Sequence, residues 1–191
     1  MTETHHRVKN NLQIISAMVD MQLMNDTETI SCEEFKRLVS HVRTLAAVHD
    51  ILTQESKEAG SQQVISLKAI MQQLVPVHQQ TAPHCRITAQ IADVQLAGRK
   101  GTSLALVLNE LISNAIKHGR GKVEIVVAQE PSGIAVTVCD DGPGFPQGFH
   151  AATAGLELVE SLVKWDLGGQ VEFTNQAQGG AQVTLALPIL T

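Results

Sequence analysis

The sequence predicts an α+β chain in two parts, a helical hairpin followed by an α/β sandwich in which helices cover one mixed, mainly antiparallel sheet. Three observations predict it. Over residues 1–60 apolar residues recur in helical steps of three and four. The stretch "KEAGSQQ" then turns polar and brings Gly and Ser, as linkers do. Beyond it, helical runs alternate with short strand-like segments joined as hairpins rather than as regular βαβ units. The expected boundaries are 1–60 for the hairpin, 61–65 for the linker and 66–191 for the sandwich.

The first helix follows from Val8, Leu12, Ile15 and Val19, which form one stripe. With ~100° of rotation per residue, His6, Asn10, Gln13 and Ala17 fall on the opposite face, so His6 points outward. "MNDTETIS" breaks the pattern, and "SCEE" from Ser31 to Glu34 has the form of a capping box that opens a second helix. There Phe35, Leu38, Val42, Leu45, His49 and Leu52 make a heptad-like seam, with His49 read as a structural interior residue. A lone hairpin cannot bury two such seams. Pairing with a second copy into a four-helix bundle does, which predicts a homodimer.

In the second part, "LKAIMQQLVPVHQQTA" reads as a helix and "CRITAQIADVQL" as strand. "SLALVLNELISNAIKHG" is a strong helix with Gly119 as its C-terminal cap. "KVEIVVAQE" and "GIAVTVCDDG" are strands separated by a Pro-Ser-Gly turn, "GLELVESLVKWDL" is a helix, and "GQVEFTNQAQGGAQVTLALPI" closes the chain as a hairpin. Trp165 in "KWDLGG" is expected to pack in the core.

Composition excludes several classes of function. With 43% hydrophobic and 17% charged residues the 191-residue chain can bury a core, and a net charge of −5 gives no electrostatic route to nucleic acid or an anionic membrane. Tyr is absent and aromatics are only 3%, which argues against base-stacking surfaces. Cys32, Cys85 and Cys139 are odd in number and lack CxxC spacing, so neither a disulfide framework nor a zinc site is indicated and a cytoplasmic setting is expected. No apolar run approaches the ~20 residues of a membrane helix, and no signal peptide is evident.

Three constellations carry chemistry. On the "SLALVLNELISNAIKHG" helix, Leu104, Leu108, Leu111 and Ala115 form the core stripe while Glu110, Asn114 and Lys117 share another face. A carboxylate, a carboxamide oxygen and an ammonium together suit a hydrated Mg²⁺ bridging phosphates, although a solvated face with an ordinary ion pair has the same pattern. Next, "VTVCDDGPGF" ends a strand in Asp140, Asp141, Gly142, Pro143 and Gly144. A carboxylate there can accept from an exocyclic amine such as adenine N6, and glycines leave room for the ring; a tight turn has the same signature. Third, Gly155 in "TAGLEL" begins a helix, where backbone N–H groups and the dipole can hold phosphate.

In this order the three resemble the nucleotide-binding (Bergerat) fold of the GHKL superfamily, shared by histidine kinases, gyrase-type ATPases, Hsp90 and MutL. "NELISNAIKHG" matches the N box, "DDGPGF" the first glycine box, "AGLELVESLV" the second and "GGAQVTLALP" the closing strand. The resemblance implies that Asn114 ligates Mg²⁺, Asp140 binds adenine of ATP, Glu110 polarises the reacting group, and Lys117 and His118 meet phosphates. It also implies that Gly142, Gly144 and Gly155 shape the pocket and its lid. The stretch from Pro146 to Gly155 is short, which predicts a small lid, and the second glycine box keeps Gly155 alone.

"HHRVKNNLQ" is similar to the phosphoacceptor box of histidine kinases of the second HisKA type, related to the HWE group, and "RTLAAVHDIL" resembles their return helix. No Trp-x-Glu pattern accompanies the glycine box, so the chain is not an HWE member proper. The resemblance implies that His6 is the phosphorylated residue, with His5 about 100° away round the helix. An imidazole of unperturbed pKa ~6.5 is largely neutral at pH 7 and needs orientation more than a strong base. Glu3 or Glu110 can supply it.

What the resemblance implies is a sensor histidine kinase core that autophosphorylates on His6 with ATP and Mg²⁺ and passes the phosphoryl group to an Asp of a response-regulator receiver domain. A phosphotransfer adaptor with a degenerate ATP domain, and a GHKL serine kinase of the anti-sigma type, are the alternatives. No receiver or sensor domain is expected within these residues.

Overall fold

The computed structural model describes residues 32–58, 64–151 and 153–188. The first predicted helix, with His5 and His6, and the Ser31 cap lie outside them. Helix α1 runs Cys32–Glu58. A short strand β1, Val64–Ser66, pairs antiparallel with β3, Gln95–Ala97. Ser66 then caps α2, Leu67–Thr81, its hydroxyl accepting from the Ala69 N–H at 3.2 Å. Strand β2 spans Arg86–Ile91 and α3 spans Gly98–His118.

Two antiparallel strands follow, β4 (Lys122–Glu130) and β5 (Gly133–Asp140), and then α4 (Ala154–Ser161), which widens into a π-helical turn, Leu162–Asp166. The last hairpin is β6 (Gln170–Asn175) and β7 (Ala181–Leu187). The main sheet has the order β2-β4-β5-β7-β6, with β2 parallel to β4 and every other pair antiparallel. The single parallel pair arises because α3 carries the chain across one face of the sheet between β2 and β4. The fold is thus α+β with a mixed, mainly antiparallel sheet.

Helices α2, α3 and α4 cover one sheet face, and α1 lies on the outside of α3 as a further layer. The core is built from Leu104, Leu108 and Ile112 of α3 with Ile125 of β4, Val136 of β5 and Leu185 of β7, all fully buried. Alternation on β5, where Val136 and Val138 point in and Ala135 and Thr137 are half-buried, matches a sheet with one covered face.

Two sequence expectations are corrected. Helix α3 begins at Gly98, five residues before Ser103, because Thr102 returns its hydroxyl to the Gly98 carbonyl at 3.0 Å and Asp166 accepts from Ser103 at 2.8 Å. On α1 the heptad seam is split: Leu45 is buried, Leu38 is half-buried, and Phe35 and Val42 are 59% and 41% exposed. His41, Thr44 and Val48 are buried as well, and Ser40 and His41 bond Asn109 and Glu110 of α3. Trp165 is 74% exposed rather than in the core. The apolar stripe Leu156, Val159, Leu162 and Val163 already fills the space beneath α4, and the π turn leaves the indole outside beside the Lys164 ammonium, 4.8 Å from the ring.

Candidate functional site

Helix α3 carries one end of the site. Glu110 is 2% exposed, so its face is an interior junction and not a solvated surface. Its Oε1 accepts from Asn114 Nδ2 at 3.2 Å, one helical turn on, which leaves Asn114 Oδ1 as the atom able to coordinate a cation. Its Oε2 meets His41 Nε2 of α1 at 3.0 Å. Gly155, buried in the first turn of α4, closes the third side: a Cβ there would collide with Glu110 Oε1, so only glycine lets the helix start touch the carboxylate. Thr153 caps that helix through the Leu156 N–H.

The other end gathers at the C-terminus of α3. Asp140 is the last residue of β5 and is 9% exposed. Its Oδ1 accepts from the Gly142 N–H at 2.7 Å and the Ala181 N–H at 3.3 Å, which fixes the carboxylate and leaves Oδ2 to accept from a ligand amine. The Gly142 backbone lies against the His118 carbonyl, where a side chain would not fit. Lys117 and His118 are both exposed on the last turn of α3, and Gly119 caps it with its N–H on the Ala115 carbonyl at 2.9 Å. That cap is extended rather than left-handed, with φ −70°.

Asp141 has a different task from its neighbour. Its Oδ1 accepts from the backbone N–H groups of Arg120, Gly121 and Lys122 at 2.7, 3.0 and 3.0 Å, which staples the α3–β4 turn. Partial burial pushes its carboxyl up, and those backbone donors outweigh it and hold the group below its ordinary value.

Gly144 is set apart from α3. Its φ is +80°, a conformation that glycine adopts freely, and it abuts the Asn175 carboxamide at the end of β6. Asn175 accepts from the Phe145 N–H at 2.6 Å and donates to the Phe145 carbonyl at 2.9 Å, pinning the start of the lid segment. Phe145, Phe149 and Phe173 form a ring cluster with centroids 4.4 to 5.7 Å apart, which ties that segment to β6. A groove of about 680 Å³ runs along this cluster, but neither Asn114, Asp140 nor Gly155 lines it, so it is separate from the site.

Sequence reasoning missed Ser40, His41, Asn109, Asn175 and Gln176, each of which holds a site residue or its neighbour. Gln176 donates to the Asp140 carbonyl at 2.8 Å. Asn109 Oδ1 accepts from Ser40 Oγ at 3.2 Å and pairs with His78 Nε2 at 3.1 Å. Burial pushes the His78 imidazole down and the Asn109 bond only partly opposes it. Burial likewise pushes the Cys85 and Cys139 thiols up, with neighbouring carboxylates adding to it.

The residues fit a cation that keeps part of its water. Among the described residues no group of three or more His, Cys, Asp or Glu side chains forms a cage, so a cation at Asn114 Oδ1 would take its other ligands from phosphate and water, as Mg²⁺ does.

An N-box helix, a strand-end aspartate followed by glycines, and a glycine at a helix start define a nucleotide-binding domain of the GHKL class. Comparison with known proteins places the chain within it. Residues 3–81 match the family model described as histidine kinase, and residues 99–191 match the one described as histidine kinase-, DNA gyrase B-, and HSP90-like ATPase. The chain belongs to the histidine kinases. The sensor histidine kinase PdtaS of Mycobacterium tuberculosis is 30% identical over 98% of this chain and 39% of its own length. Blue-light-activated histidine kinase 2 of Erythrobacter litoralis is 26% identical over 94% of this chain and 54% of its own. The chain thus spans about two fifths to a half of these relatives. A solved blue-light activated histidine kinase of Erythrobacter litoralis superposes with a TM-score of 0.79, covering 99% of this chain and 61% of that one at 18% identity, a likeness of fold.

Proposed function

We propose that the chain is the catalytic core of a sensor histidine kinase, with residues 1–60 carrying the phosphoacceptor and residues 66–191 binding ATP. The observation that carries this reading is the junction at Glu110, a buried carboxylate bonded to Asn114 and set against Gly155. Asp140 Oδ2 accepts from the adenine amine, while Lys117, His118 and the α4 N-terminus face the phosphates, and Gly142 and Gly144 give the ring and the lid their room. Asn114 would hold Mg²⁺, which when bound would neutralise charge on the phosphate oxygens. A nitrogen of His6 attacks the γ-phosphorus, the N–P bond forms as the bridging P–O bond breaks, ADP leaves with that electron pair, and Glu110 takes the ring proton.

The phosphoryl group then passes to an Asp of a receiver domain on a separate response regulator. The chain acts as a homodimer in the cytoplasm; no helix among the described residues is long and apolar enough to cross a membrane. The site residues needed for transfer are retained together, which disfavours the adaptor reading. Incubation with Mg²⁺ and γ-labelled ATP, beside a His6→Gln variant, tests the proposal. Acid-labile, alkali-stable label is expected in the wild type and absent in the variant. Label that persists in His6→Gln, or is acid-stable, would point to a serine kinase instead.

A further inference from the structure

The junction at Glu110 is shared with α1, and that sharing has a functional meaning. His41 Nε2 lies 3.0 Å from Glu110 Oε2, with side chains only 4% and 2% exposed. Asn114 holds the other oxygen, so both are engaged from within the protein. One turn earlier on α1, Arg37 Nη1 lies 3.3 Å from where a Gly155 Cβ would stand, so the helix also reaches the second glycine box. A carboxylate with both oxygens engaged and no exposure cannot receive a proton from an imidazole arriving from elsewhere.

We infer that the His41–Glu110 hydrogen bond is an autoinhibitory latch, by which docked α1 withholds the catalytic carboxylate from the phosphoacceptor; the inference rests on the kinase reading above. The junction is built to open. Its centre is polar: Ser40 bonds Asn109 and Thr44 turns its hydroxyl back to the Ser40 carbonyl at 3.0 Å, while Leu38, Leu45 and Val48 of α1 add apolar burial. It also leaves Asn109 Nδ2 buried with no hydrogen-bond partner among the described residues, an uncompensated cost of the docked state. Removing His41 would leave a buried, half-paired carboxylate, which drives α1 off α3.

The initial rate of His6 labelling should therefore rise about tenfold in His41→Ala, the factor that goes with one charge-assisted hydrogen bond. His41→Gln, which keeps a donor, should stay near wild type, and ATP affinity should be unchanged in both. A second test uses Ser40→Cys with Asn109→Cys in a Cys32→Ser background. Oxidation should abolish labelling while ATP still binds, and reduction should restore it. Labelling that is unchanged or lower in His41→Ala, or undiminished in the oxidised pair, overturns the latch alone. No label in any form, with nucleotide bound, overturns the kinase reading and the latch with it.

Discussion

Asp140 and Asp141 are adjacent and identical in chemistry, yet their surroundings give them opposite tasks. Asp140 keeps one oxygen for a ligand, whereas Asp141 spends its carboxylate on three backbone donors. Asp140→Asn preserves the Oδ1 contacts but presents an amide to the adenine amine. Nucleotide binding should weaken ten- to hundredfold, about 1.5–3 kcal/mol, with the thermal midpoint unchanged, as titration calorimetry and melting would record. Asp141→Ala should leave binding intact and cost about 1 kcal/mol of stability at pH 7, the size of a lost cap. Because the folded-state pKa of Asp141 lies below its unfolded value, its contribution is present above the unfolded pKa and disappears as pH falls through the folded one. Urea-denaturation curves of wild type and Asp141→Ala should therefore converge in acid. A gap that persists there would assign the loss to something other than the carboxylate.

Helices α3 and α4 meet where Gly155 faces Glu110, and the sequence hints at only half of that meeting. The i, i+4 relation of Glu110 and Asn114 is local and readable, and so is a glycine before an apolar helical run. That the two touch depends on β4 and β5 returning the chain to α3. Gly155→Ala makes the consequence measurable: the new methyl collides with an oxygen held in place by both Asn114 and His41. Overpacking outweighs the better helix propensity of Ala, for a net loss of about 1–2 kcal/mol. Phosphoryl transfer should fall with it. A Gly155→Ala protein that melts higher and labels at the wild-type rate would show that Glu110 moves aside freely. On α1, Ser40 and His41 find partners on α3 that no periodicity marks, while Phe35 and Val42 of the seam stay exposed within the single chain.

At the scale of the molecule, the chain forms a sheet, a helix layer and an outer helix, with the proposed ATP site beneath the point where the outer helix docks. Exposed Phe35 and Val42 on that outer helix leave apolar surface that a monomer gains nothing by showing to water. Light scattering should therefore give twice the 20.6 kDa chain mass, the expected homodimer, and a mass of one chain at micromolar concentration would refute it.

The sequence by itself determined what depends on neighbours within a turn or a strand: the helix and strand order, the N-box face, the strand-end aspartate with its glycines, and the family resemblance these carry. Tertiary structure alone decided which residues hold them. Ser40 reaches Asn109 and His41 reaches Glu110 across 69 positions, and Asn175 reaches Phe145 across 30. Such partners have no local periodicity to betray them, since a buried polar contact is selected by geometry that exists only once the elements have packed.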